Sequence, residues 1–222
     1  MTYYRVSALA SGFARMWRGW SVIVPVVVVN AILQALLVWP DATPMVDALA
    51  VVVAIASGLV FLIAYGLLNA TALGVADGHV GWPEAVSTLR GRAVRFAIWA
   101  IALGVLTAIG LAFYTVPGII VLDITPFVLL ATLDGQNNPL AVNFRTIGRR
   151  FWRWLVTALI MTLVLLVGSI LSAVFTFFTR NPLASLGAWL VWGLFAAWIT
   201  TAWALVYRSA QAETAEQAPT EG

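Results

Sequence analysis

Arg90-Gly91-Arg92-Ala93-Val94-Arg95-Phe96 and Arg145-Thr146-Ile147-Gly148-Arg149-Arg150-Phe151-Trp152-Arg153 are the two stretches whose reading decides the fold. Each stands directly before a long apolar run. Arginine-rich segments beside apolar runs are held on the cytoplasmic side of a bilayer. If both clusters lie on that side, an even number of crossings must separate them. The 49 residues between Arg95 and Arg145 hold one clear apolar run, 95–115, and one short one, 117–133, which carries Asp123. Parity therefore predicts that the short segment spans, with a turn at Tyr114-Thr115-Val116-Pro117-Gly118.

A span needs about 20 apolar residues, because the hydrocarbon core is about 30 Å thick and a helix rises about 1.5 Å per residue. Working outward gives six segments, 20–39, 47–74, 95–115, 117–133, 154–178 and 183–207. With both termini cytoplasmic, eleven of the twelve arginines lie inside and only Arg180 lies outside. The outer loops, 40–46, 115–118 and 179–182, are then short and each contains proline. Trp17, Trp20, Trp39, Trp82, Trp99, Trp152 and Trp154 fall near predicted interfaces, which suit an amphipathic indole.

Composition agrees. The 222 residues are 62% hydrophobic and 9% charged, against about 25% charged in soluble domains. The formal charge of +3 does not argue for nucleic acid, since orientation already accounts for the arginines. The absence of cysteine excludes disulfides, thiolate catalysis and cysteine-ligated metals. Arginine without lysine, with abundant Ala, Val, Gly and Trp, fits a GC-rich bacterial genome. The first apolar run is too long for a signal-peptide core and reads as an uncleaved span. The expected location is the bacterial inner membrane.

The basic stretches have helical spacing. Pro83 with Glu84, and Asn138 with Pro139, suit helix N-termini. A shift of 55 positions aligns Leu89, Arg90, Arg95, Phe96 and Trp99 with Phe144, Arg145, Arg150, Phe151 and Trp154. Val6 to Trp20, with Arg15 and Arg18, is a looser third copy. One reading is three pseudo-repeats, 5–75, 82–133 and 138–207, within a single transmembrane domain, 1–208. Each begins with an in-plane amphipathic helix whose arginines meet lipid phosphates or a partner. The other reading is ordinary positive-inside flanks with chance periodicity. The contact candidates are Arg15, Arg18, Arg90, Arg92, Arg95, Arg145, Arg149, Arg150 and Arg153.

The stretch Tyr114 to Val121, then Pro126, Thr132 to Val142 and Arg149-Arg150-Phe151-Trp152, resembles a group of bacterial six-span proteins. It is similar to the membrane domain attached to some glycerophosphodiester phosphodiesterases. The likeness covers roughly 82–160 and its motifs are loose. No segment reads as a catalytic phosphodiesterase domain, so that activity does not carry over. Size, composition and Met1-Thr2-Tyr3-Tyr4-Arg5-Val6 also resemble an actinobacterial accessory membrane subunit of MCE-type lipid-uptake transporters. That resemblance implies integral membrane partners, a transporter permease among them.

Within the spans, Asp123 is the one carboxylate away from a span end, and an intramembrane carboxylate is costly. It either reaches the outer interface or caps a helix broken at Pro126, or it serves proton or substrate coupling. Asn30 and Gln34 share a face of the first span, and Asn69 lies in the second. Interhelical hydrogen bonding is the expected role of these three. His79 stands alone in a Gly-rich turn. Gly168 with Ser172, and Gly193 with Ala197, are small-residue pairs suited to close helix approach. No nucleophile motif, phosphate loop or metal-ligand spacing appears, so no catalytic residue, metal or cofactor is expected. Residues 209–222 read as a disordered cytoplasmic tail. The function read from this pattern is a non-enzymatic accessory membrane subunit contacting membrane lipids. The rival is an autonomous transporter with a polar path near Asp123.

Overall fold

A computed structural model describes residues 7–38, 48–113, 115–178 and 182–217, and every regular element in them is helical. In order these are α1 (Ser7–Met16), a 3₁₀ turn (Trp17–Gly19), α2 (Trp20–Val38), α3 (Ala48–Asp77), α4 (Trp82–Phe113), α5 (Thr115–Ile124), α6 (Val128–Leu133), α7 (Pro139–Arg149), α8 (Phe151–Phe178) and α9 (Pro182–Gln217). Six stretches are long and apolar enough to cross a membrane: Leu9–Leu37, Val51–Asp77, Trp82–Phe113, Val116–Leu133, Phe151–Ile170 and Ser185–Glu213. The chain is an all-α polytopic membrane protein. Arg5, Trp39, Pro40, Pro44, Tyr114 and Arg180 lie outside the described residues.

The buried core gathers around α2, α6, α9 and the C-terminal half of α3. All six residues of α6 are buried, with Val22, Ile23, Val26 and Val27 from α2, Leu68, Ala72 and Leu73 from α3, and Ala197, Trp203, Val206 and Tyr207 from α9. Helices in a bilayer gain little from hydrophobicity and associate through close packing, so small residues mark the seams. A side chain at Gly193 would meet Val27, and one at Gly12 would meet Ala202. One at Gly168 would meet Trp192. These glycines therefore pack within the bundle.

The fourth span is broken. α5 ends at Ile124, Thr125-Pro126-Phe127 is non-helical, and α6 resumes at Val128. Proline has no N–H to give to the preceding turn. Exposed backbone groups are not tolerated in hydrocarbon unless protein satisfies them. Three side-chain bonds from α7 and α8 do so. Asn143 Oδ1 accepts from the Phe127 N–H at 3.0 Å, and Asn143 Nδ2 donates to the Ile124 carbonyl at 2.7 Å. The Asp123 carbonyl, which Phe127 would otherwise bond, accepts from Trp154 Nε1 at 2.7 Å. A parallel repair serves Pro25 in α2. Its missing N–H frees the Ser21 carbonyl, which accepts from Trp82 Nε1 at 3.0 Å.

The expected in-plane helices need correction. α4 is one helix of 32 residues, about 48 Å long. Its basic N-terminal third thus continues straight into span three. α1 passes into α2 through the 3₁₀ turn, whose flanking residues keep helical angles. Only α7 is set apart, by a break at Arg150 with φ −120° and ψ 32°. Part of the expected tail, residues 209–217, is helical, and 218–222 lie outside the described residues. α9 extends to Gln217, and Glu213 pairs with Arg150, so the helix outlasts the membrane run at Arg208.

Candidate functional site

Spans two and four end alike. At the C-terminus of α3, His79 N–H donates to the Gly74 carbonyl at 2.9 Å while Gly78 sits at φ +82°. After α6, Gln136 N–H donates to the Ala131 carbonyl at 3.0 Å while Gly135 sits at φ +84°. Both are left-handed glycine caps, a conformation that other residues adopt only with strain. Each cap places an aspartate just before the glycine. These are Asp77 and Asp134.

Both aspartates meet Arg208 of α9. Arg208 Nη2 lies 2.7 Å from Asp77 Oδ2, and Nη1 lies 2.7 Å from Asp134 Oδ1. Asp134 Oδ2 also accepts from the Tyr207 hydroxyl at 2.7 Å and from Gln136 Nε2 at 3.1 Å. The guanidinium carbon lies 5.6 Å from the Tyr207 ring centre. One arginine thus ties together the ends of spans two, four and six. Further ties surround it. Arg92 donates to the Leu133 carbonyl, Arg95 Nη2 to the Asn137 carbonyl at 2.5 Å, and Arg150 Nη2 to Glu213 and to the Ser209 carbonyl.

These bonds give three of the arginines partners within the bundle. Arg92, Arg95 and Arg150 were expected on lipid phosphates or a partner, yet each binds a backbone carbonyl or carboxylate of its own bundle. Arg15, Arg18, Arg90, Arg145 and Arg149 are exposed, and Arg153 is half-buried. They leave the end of the bundle strongly basic.

The four intramembrane polar residues do not converge. Gln34 closes on Ser57, with Gln34 Nε2 donating to the Ser57 carbonyl at 3.0 Å and Ser57 Oγ donating to Gln34 Oε1 at 2.5 Å. Asp123 Oδ2 accepts from Thr162 Oγ1 at 2.8 Å. Asn69 Nδ2 donates to the Tyr65 carbonyl one turn back at 2.9 Å. Asn30 is buried on α2, and its Oδ1 has no partner among the described residues. These bonds lie at the α2–α3 seam, at the α5–α8 seam and within α3 itself.

A cleft of about 750 Å³ runs between α3, α4, the broken fourth span and α9. Its walls are mainly Leu and Ile, with Tyr65, Thr107, Thr125 and Thr200 among them, and of the four polar residues above only Asn69 lines it. Among the described residues no group of three His, Asp or Glu is placed to hold a metal ion. His79 is exposed in its turn. The arrangement offers a basic face, a locked set of helix ends and a mainly apolar slot.

Comparison with protein-family models, with curated proteins and with solved structures finds no match.

Two features escaped the sequence reading. Asn143 was seen only as part of a basic amphipathic stretch, and Asp134 only as part of a resemblance. A signal for Asp134 exists. Asp77-Gly78 and Asp134-Gly135 are followed by Pro83-Glu84-Ala85-Val86 and Pro139-Leu140-Ala141-Val142, an internal match that needs a gap of one residue.

Proposed function

We propose that this chain is a non-enzymatic accessory subunit of a larger bacterial inner-membrane assembly, specifically an MCE-type lipid-uptake transporter. The observation that carries the reading is the dispersal of Asn30, Gln34, Asn69 and Asp123. A transporter working alone needs polar groups aligned along a path. Here Gln34 is closed by Ser57, Asp123 faces Thr162, and the cleft between α3 and α4 is mainly apolar and takes in only Asn69 of the four. Nearly all the described mass is bundle. Its basic face, with Arg15, Arg18, Arg90 and Arg145 exposed, suits anionic headgroups or the acidic surface of a partner. The narrower resemblance supplies the kind of assembly.

The rival reading, transport along a path beside Asp123, has one point in its favour. Asp123 Oδ1 is buried without a partner among the described residues. The cleft, however, is walled by Leu122 and Thr125 rather than by Asp123.

The test is extraction of the tagged chain, at its native expression level, into a mild detergent, followed by quantitative mass spectrometry. The expected result is a permease-type membrane protein in a fixed whole-number ratio to this chain. A chain that is extracted alone, or only with itself, overturns the subunit reading.

A further inference from the structure

Both ends of α7 are tied to one stretch of α9. Asp134, in the loop that leads into α7, meets Tyr207 and Arg208. Arg150, which ends α7, donates to the Ser209 carbonyl at 3.0 Å and pairs with Glu213. α7 has 11 residues and is about 16 Å long, whereas Arg208 and Ser209 are neighbours. A helix whose two ends return to adjacent residues of another helix lies across it, not along it. α9 carries the sixth span, so α7 lies in the plane of the membrane surface at the end of the bundle.

The sides of α7 fit that position. Pro139, Val142, Asn143 and Thr146 are buried and turned to the bundle. The remaining surface is divided. At about 100° per residue, Leu140 and Phe144 lie within about 40° of each other, as do Arg145 and Arg149, and the two pairs stand about 140° apart. All four residues are exposed. Ala141 and Gly148 fill the arc between the pairs. Phe151 and Trp152 extend the exposed apolar surface past the break.

One occupant meets both flanks at once. An acidic protein surface would match the arginines and leave Leu140 and Phe144 uncovered on the other flank. An apolar partner helix would cover Leu140 and Phe144 and leave the arginines behind. The boundary layer of a bilayer offers acyl chain on one side and phosphate on the other, in the order that the two flanks require. An exposed indole such as Trp152 suits the same layer. Between Asp134 and Glu213 the chain has no Asp or Glu, and those two already pair with Arg208 and Arg150. No carboxylate of this part of the chain opposes the basic flank, which therefore prefers anionic headgroups to zwitterionic ones.

The buried side of the same helix carries Asn143, which holds the Ile124 carbonyl and the Phe127 N–H of the broken span. α7 thus joins the membrane surface to the break. We infer that the outer side of α7 is a docking surface for anionic phospholipid, with Leu140 and Phe144 among the acyl chains and Arg145 on the phosphate, and that this lipid steadies the clasp on the fourth span. Such a contact refines the lipid-facing role proposed above and rests on it, but it needs no partner subunit. It is read on the purified chain, whereas the subunit reading is tested on the intact extract.

The full chain is purified and placed in vesicles of dioleoylphosphatidylcholine, or of equal parts dioleoylphosphatidylcholine and dioleoylphosphatidylglycerol. Amide hydrogen exchange of the peptides covering 124–149 is followed by mass spectrometry. In the wild type the anionic vesicles should slow this exchange about fivefold, the effect of one arginine at an anionic surface. Arg145→Gln should abolish the difference between the two vesicles and leave exchange in phosphatidylcholine as it is. Phe144→Ser should speed exchange in both. Arg15→Gln, on α1, should keep the difference. Equal exchange of the wild type in the two vesicles overturns the surface. So does a difference that survives Arg145→Gln, one that Arg15→Gln also removes, or unchanged exchange in Phe144→Ser.

Discussion

Asn143→Ala lowers the stability of the bundle by about 3 kcal/mol, which for a chain of this length is a fall of about 6–12 °C in the unfolding midpoint. The side chain is fully buried and serves two backbone groups at once, the Phe127 N–H and the Ile124 carbonyl. Its removal leaves both unsatisfied within a span, where water does not replace the lost partner. A buried donor or acceptor without a partner costs about 1–3 kcal/mol. Asn143→Asp separates the two bonds. It keeps the acceptor for Phe127 but loses the donor to Ile124 and sets a buried carboxylate oxygen against that carbonyl, so it should be at least as destabilising as alanine. Thermal unfolding in detergent, followed by tryptophan fluorescence, checks the order. If alanine is as stable as wild type, α7 does not clasp the broken span.

Asp134→Ala produces the second large loss, about 2–3 kcal/mol by the same measurement. The carboxylate accepts from Tyr207, Arg208 and Gln136, and its side chain is only 17% exposed. Asp77 binds the same arginine but is 40% exposed. An exposed ion pair contributes about 1 kcal/mol or less. Asp77→Ala should therefore cost clearly less than Asp134→Ala. The effects of Asp134→Ala and Arg208→Ala should not add, because the residues share one network. Equal losses at the two aspartates would show that Arg208 draws no advantage from the more buried partner.

Both predictions concern residues that the sequence shows poorly, for a physical reason. Span number and order were readable because they depend on local quantities, the length of an apolar run and the arginines beside it. Parity between Arg95 and Arg145 required a short fourth span, and Val116–Leu133 is long and apolar enough to be one. Pro126 was recognised as the position of a break. What the break requires, a side chain offering both donor and acceptor, is a three-dimensional fact. Asn143 lies on the buried face of α7 with Pro139, Val142 and Thr146, and sequence spacing does not tell which span that face meets. Asp123 stood out as a costly carboxylate, yet its partner Thr162 is 39 residues away on α8.

The partners that the arginines find within the bundle were not legible for a similar reason. Positive-inside placement says which side an arginine occupies and nothing about what its guanidinium touches. Arg92 and Arg95 bind the loop after α6, where Gly135 accommodates Arg92 because it has no side chain. Arg208, one of the eleven arginines expected inside, is the residue that gathers three helix ends. The tail was misjudged because residues 209–217 have no apolar periodicity. Their helix propagates from α9 and is tied by Glu213 to Arg150.

Spans two, four and six end together on one face, and we propose that this face is the cytoplasmic one. Since the chain has no cysteine, single introduced cysteines report it cleanly. His79→Cys, Asn137→Cys and Ala212→Cys place a thiol at exposed positions beside the three ends. A membrane-impermeant maleimide is applied to spheroplasts and to inverted vesicles. All three cysteines should label in inverted vesicles and none in spheroplasts. Labelling of any one of them from outside contradicts the account.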